Sequence, residues 1–495
     1  MSYRWSNLTP VNGFDGGDLD NAKQNNYAWS MGELGDYIYV GTGRNIVYQL
    51  LEQGEIFGVQ PPPILTPEHP NNDAEIWRYH KSGYRGWERV YKPEAGKELM
   101  GFRFMITYTD INKVTAIYVG GFTITGVSYM LMSTDGEYWE EIIPGIPGGF
   151  STRTMLVYEG RLYMGVTNTL EQTETTYLYW SDNPKAGWQP VEFGTGANNP
   201  KGEVISMASF KGHLYIGTAP FGGFEVWRTE DRLPEKDHWK CVVDKGAGDE
   251  LNELPLSMEV FKGNLYVGTG IWIGFKSVDP SKVVVLPKGF DIIKVNGKDE
   301  WTVVVGQEPL WPTNPTTGKR NISCYPSGFG NIFNNYCWQL RAYCNTLYIG
   351  TWDSSILWAT LLQTSYEPPI KEAQTLMPSA DILNNIISSI GEGILKCPEF
   401  KKLNFKRWIQ MLICSIKDLP ETYGFDLYTT YNGENFVCQS VEGFDESYNY
   451  GIRNLLVADC DLYLGTANPF LSMLRKIVKL IKSLTYYIKE IMEQN

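Results

Sequence analysis

Hydrophobic residues alternate with polar ones at period two over short runs that stop at Gly-Thr, and the same run returns along the whole chain. Tyr37–Thr42 reads YIYVGT and Leu162–Val166 reads LYMGV; Leu214–Thr218, Leu265–Thr269, Leu347–Thr351 and Leu462–Thr466 read LYIGT, LYVGT, LYIGT and LYLGT. A looser copy, IYVGG, lies at Ile117–Gly121. Such alternation marks a strand with one buried face. The closing Gly leaves room for close backbone approach or for a positive φ.

A second strand is predicted upstream of each copy, with a Met or Leu shortly before the turn: Met31, Met105, Met155, Met207, Met258, Leu340 and Leu455. A third follows downstream, at Glu75–Trp77, Leu178–Trp180, Glu225–Trp227, Asp291–Ile293 and Asp426–Tyr428. A fourth opens on an aromatic: Trp87, Trp139, Trp188, Trp239, Trp301 or Phe436. Four antiparallel strands, here a to d, repeated every ~40–60 residues predict an all-β fold, a seven-bladed β-propeller. Trp5 stands in the setting of the other outer-strand aromatics, so Trp5–Val11 is predicted as strand d of the last blade, closing the ring. The propeller is expected over residues 1–478, closed by the strand at 5–11, with a helical insertion in blade six at 353–420 and a C-terminal amphipathic helix at 479–495. Met473–Val478 is the expected, degenerate strand c of the last blade. The basic terminal helix reads three ways: a tail packed on the blade, a membrane-surface or partner helix, or an end that has replaced the natural one.

The turn Ser133-Thr134-Asp135-Gly136-Glu137-Tyr138-Trp139 resembles the Asp-box of sialidases and related propellers. The resemblance covers one blade well and implies a turn shaped by Asp135 and Gly136 over a packed aromatic. An Asp-box is a folding device, so it implies no activity.

Composition narrows the choices. A chain of 495 residues, 43% hydrophobic, supports a large core, and a propeller places it in one domain with insertions. Net charge of −13 argues against nucleic acid and against a general anionic-membrane surface. The opening residues lack the apolar core of a signal peptide and no run of 18 apolar residues suggests a span, so a cytoplasmic protein is expected. The eight cysteines are then expected as free thiols. Four histidines without ligand spacing predict no metal site, and no P-loop, GxGxxG or Ser-His-Asp set names a cofactor or a catalytic group.

Where chemistry sits is suggested by loop placement. The large insertions, Val59–Pro70 in blade one, Ile271–Lys288 in blade five and the one in blade six, all fall between strands b and c. They therefore crowd one mouth of the central channel and suggest a lidded pocket. Two positions before the Met/Leu column, near the same mouth, stand Trp29, Arg103, Arg153, Ile205, Leu256, Trp338 and Arg453. Trp272 and Trp352 follow Gly-Thr stops there. Arg offers a planar fork for carboxylate or phosphate and Trp a stacking face. The structural alternative is that the arginines pair with acids of neighbouring blades and seal the channel. The arginine trio resembles the cluster with which sialidases hold a carboxylate, but Arg103 is followed by Phe104-Met105 and not by the sialidase Ile-Pro, and seven blades exceed the sialidase number. Glu203, Glu253, Asp353 and Asp459 are the acids expected near the mouth. Two functions are open: a binding module for a small anionic or carbohydrate-like ligand or a protein partner, and a glycoside hydrolase or lyase acting in the channel, for which a carboxylate pair is needed.

Overall fold

The computed structural model describes residues 5–46, 48–49, 70–123, 128–142, 146, 151–167, 174–196, 198–271, 288–310, 312–315, 318, 322–356 and 424–468. The described chain is nearly all β. The strand Asn25–Leu34 pairs antiparallel with Tyr37–Arg44, which pairs with Ile76–His80, which pairs with Glu88–Tyr91. The same order repeats from Leu99–Thr109, Ser151–Tyr158, Glu203–Phe210, Leu254–Phe261 and Asn334–Tyr343, while Gly451–Ala458 is followed by Asp461–Ala467. These first strands lie side by side in chain order, and Gly451–Ala458 returns to Asn25–Leu34. Single backbone pairs stitch one set to the next at Gly43↔Gly101, Phe122↔Ser151, Gly270↔Tyr336 and Trp352↔Gly451, and Tyr27↔Ala467 joins the two ends. The arrangement is propeller-like, with the first strands around a lumen.

The repeat residues explain the packing. The Gly before Thr serves close approach, not positive φ. A Cβ on Gly41 would lie 2.5 Å from Cβ of Phe102 in the next set, and one on Gly268 would lie 2.3 Å from Sγ of Cys337. The repeat Tyr reaches outward to the next set's c–d turn. Tyr39 meets Trp139 edge-on at 6.0 Å, and the Tyr215 hydroxyl donates to Asp299 at 2.8 Å. The Thr hydroxyl accepts from the backbone N–H of the acid that opens strand c: Thr42 from Glu75, Thr269 from Asp291, Thr351 from Asp426. That acid in turn accepts from an Asn at the head of the inner strand, Asn252 for Asp291 and Asn334 for Asp426. In these sets the chain thus repeats a buried polar clamp in which Thr, acid and Asn bond in series.

At Ser133–Trp139, Asp135 accepts from the N–H groups of Glu137 and Tyr138, and Gly136 sits at φ 75°. A second turn of the same form, Thr430–Phe436, has Asn432 accepting from Glu434 and Asn435. Asn supplies the same acceptor oxygen as Asp.

The expected strand at Trp5–Val11 is not formed: no strand is assigned there, and Asn7 instead accepts from the Thr9 N–H at 2.8 Å in a local turn ahead of Pro10. Its expected neighbour, Met473–Val478, lies outside the described residues. The packing of the segment nonetheless follows the repeat. Trp5 meets Tyr348 edge-on at 6.4 Å, as Trp139 meets Tyr39. Gly13 and Phe14 hold φ 85° and 74°, like Gly443 and Phe444 at 63° and 60°. Asn25 donates to Gly13 O as Asn449 donates to Gly443 O.

The insertion expected at 353–420 lies outside the described residues beyond Ile356, as do the helix at 479–495, most of Val59–Pro70 and most of Ile271–Lys288. The described cysteines Cys241, Cys324, Cys337, Cys344, Cys438 and Cys460 are free. No described helix is long and apolar enough to cross a membrane.

Candidate functional site

Each inner strand breaks register at the residue of the predicted ring, and three of them break it once more nearer their start. Ala28 pairs with Thr42 and Ser30 with Gly41, which leaves Trp29 out of the ladder. Arg103, Arg153, Ile205, Leu256, Trp338 and Arg453 are skipped in the same way. A β-bulge re-aims the side chain of its extra residue. Repeated in every inner strand, it sends one side chain per strand into the lumen at a single level.

These side chains meet there. Trp29, Ile205, Leu256, Trp338 and Trp352 belong to one buried cluster that also takes in Tyr27, Phe122 and Tyr450. The Arg103 guanidinium lies 5.7 Å from the centre of Trp29 and 5.5 Å from Phe122, and that of Arg453 lies 5.2 Å from Trp338. Such cation–π contacts hold a guanidinium without neutralising it. Trp352 packs against Tyr336 with ring centres 4.6 Å apart and planes tilted by 31°, and its indole N–H has no acceptor among the described residues. Trp272 lies outside them.

The arginines are close enough to repel. Burial pushes the Arg453 guanidinium down to about 9, with Arg153 adding to the pull and Tyr27 opposing it. Burial, then Arg153 and Arg453, pushes Arg103 well down, while Glu203 opposes. Arg153 is also lowered by burial, against Tyr336 and Glu203. Arginine keeps its proton in proteins, so this downward pull is the cost of burying these charges, raised at Arg103 and Arg453 by their arginine neighbours. Among the described residues no carboxylate lies within 4.0 Å of Arg103, Arg153 or Arg453; Arg103 donates to Ser151 Oγ at 2.8 Å, and Nε of both Arg103 and Arg453 has no acceptor. Of the expected alternative, arginines paired with acids of neighbouring blades, the described residues show no ion pair, only the longer-range pull of Glu203 on Arg103 and Arg153.

The acids divide. Glu203, 1% exposed, heads its inner strand and opposes the charge of Arg103 and Arg153. Glu253 and Asp353 are buried at the same end of their strands. Asp353 is tied to Asn331 at 2.6 Å and to the Ser355 N–H at 2.7 Å, and burial pushes it up to about 6. Asp459 does not belong with them. It occupies the a–b turn at the opposite end of its strand, with its carboxylate exposed and 3.1 Å from Lys81.

Sequence reasoning missed Tyr27, Tyr336, Phe122 and Tyr450. Tyr27 and Tyr336 stand two residues before Trp29 and Trp338, so extending the period-two count by one step finds them. Phe122 and Tyr450 carry no such signal, because they reach the lumen from strand b and from the connection before an inner strand.

No family model matches the chain and no curated protein does. Among solved structures it is similar to an ancestral GH74 enzyme, at 9% identity over 90% of this chain and 47% of that one, TM-score 0.45. It is similar to a sialidase of Trypanosoma rangeli, at 10% identity over 72% and 60%, TM-score 0.36. It is also similar to a protein of unknown function from Dyadobacter fermentans, at 13% identity over 67% and 91%, TM-score 0.37. Likeness of this degree assigns no activity.

Proposed function

We propose that the chain is a seven-bladed β-propeller, its last blade completed by the N-terminal segment from Trp5, and that it binds a small anionic ligand in the lumen. In this reading Arg103, Arg153 and Arg453 neutralise the anion, and Trp29, Trp338 and Trp352 wall it, with Trp272 assigned to the same mouth on its place in the repeat. The observation that supports it is the convergence of three guanidiniums with no carboxylate within salt-bridge reach among the described residues. Clustering like charges in a buried place costs stability; a bound anion offsets that cost and gains charge-assisted hydrogen bonds. The enzymatic alternative, a glycoside hydrolase or lyase, would draw on Glu203, the carboxylate whose charge acts on Arg103 and Arg153.

Calorimetric titration of the full chain with benzoate, sulfate and glucuronate tests the reading. At least one anion is expected to bind the wild type, and Arg153→Ala to weaken it at least about tenfold, roughly 1.4 kcal/mol, with the variant still folded. Binding that ignores Arg153→Ala contradicts the site. Turnover of a chromogenic glycoside that is lost in Glu203→Gln favours the enzyme.

A further inference from the structure

We infer that the ligand of the lumen is an anion with an apolar, ring-bearing body, an aryl carboxylate by chemical class, and not a polyhydroxylated sugar acid. The inference rests on the anion-binding reading above and adds what the rest of the ligand is made of.

Ring order carries it. Followed round the lumen, the bulged residues run Arg453, Trp29, Arg103, Arg153, and then Ile205, Leu256, Trp338. One arc is cationic and the arc across from it is apolar. Leu254, one alternation above Leu256, and Trp352, 5.8 Å from Trp338, extend the apolar arc toward the mouth. Its members are at most 8% exposed.

A sugar acid lodged here has its carboxylate on the arginine arc and its hydroxyls against Ile205, Leu254 and Leu256. Each hydroxyl taken from water without a partner costs free energy. Among the described residues the side-chain polar groups of that arc are few, the Glu203 carboxylate one alternation above Ile205, the Trp352 indole N–H and the Tyr336 hydroxyl, and the surface between them is aliphatic. An aromatic body needs none of these groups. It finds edge and face contacts on Trp338 and Trp352 and apolar area on the aliphatic residues, and its single anionic group reaches the guanidiniums.

The test is titration of the full chain with 2-naphthoate and, separately, D-glucuronate, followed by calorimetry and by quenching of tryptophan fluorescence. Naphthoate is expected to bind at least about tenfold tighter than glucuronate, about 1.4 kcal/mol. Leu256→Asn is expected to narrow that ratio, and Arg153→Gln to weaken naphthoate. If Leu256→Asn fails to fold by circular dichroism, Ile205→Thr makes the same measurement. Glucuronate binding as tightly as naphthoate overturns the aryl inference and leaves the anion site standing. Naphthoate binding that Arg153→Gln does not weaken overturns the anion site and the inference together; no binding of naphthoate overturns the inference, and the anion site falls with it only if benzoate, sulfate and glucuronate also fail to bind.

Discussion

Two groups of buried cations in this ring have opposite surroundings. Around Glu75, Arg44 is fully buried and its guanidinium donates to Asn21 O, to Asn21 and Asn25 Oδ1, and to Asn71 O. Glu75 itself lies 2.8 Å from Lys92 and 3.2 Å from Arg89. In the lumen, Arg453 is also buried and faces a tryptophan ring and the charge of Arg153. The first group has a carboxylate counter-charge and acceptors on both terminal nitrogens of Arg44, though not on its Nε, and is built into the fold. The second has no carboxylate within salt-bridge reach among the described residues, and on the proposed reading that lack, more than burial, separates a binding cation from a structural one.

Breaking the first group has the largest expected effect. Arg44→Met leaves Glu75 short of a cation and the asparagine acceptors without their donor, and should destabilise the chain by ~3–5 kcal/mol in a denaturant melt. A loss below ~1 kcal/mol shows the two groups to be alike.

Protonation sharpens the comparison next. Burial pushes Asp426 up to about 7, with Asp353 adding to it, and Asp353 up to about 6. The folded chain therefore holds these protons more tightly than the unfolded chain, whose aspartates titrate near ~3.9. Their stabilising effect is full below that pH and is lost as pH rises from ~4 to ~7. Glu75, buried but held by Arg44 and Lys92 at about 2, acts oppositely: its contribution is present above ~4.5 and disappears as pH falls toward ~2. Asp426→Asn should raise stability at pH 8 by ~1–3 kcal/mol and flatten the slope between pH 4 and 7. A variant equally stable at pH 5 and less stable at pH 8 contradicts this.

Smaller again is the N-terminal contact. Trp5→Ala should cost ~1–2 kcal/mol, less than a fully buried Trp, because the side chain is half-buried against Tyr348 and Phe444. No change in the melt removes the segment from the ring.

Much of this was legible in the sequence. The alternation and the Gly-Thr stops located the inner strands, and counting back from the methionines named the seven lumen positions. The bulge itself was invisible, because every inner strand carries the same extra residue and the copies still align with one another. Trp5 was found by its aromatic setting, but Asn7 and Pro10 favour a turn over a ladder, so its strand was not. Asp459 was misplaced because the mouth was assigned by sequence neighbourhood, and a residue past the far turn of an inner strand lies at the other end of the lumen. The clamp of Thr, acid and Asn escaped notice since its Asn and its acid are 39 residues apart in the case of Asn252 and Asp291.

The most direct measurement is the melting temperature of the Arg153→Gln/Arg453→Gln double variant without ligand, beside the wild type. If the lumen arginines serve a ligand, removing two like charges leaves the melting temperature unchanged or raises it, and any stabilisation of the wild type by added anion disappears. A fall as large as that of Arg44→Met would show that these arginines hold the ring together, and would contradict the binding site.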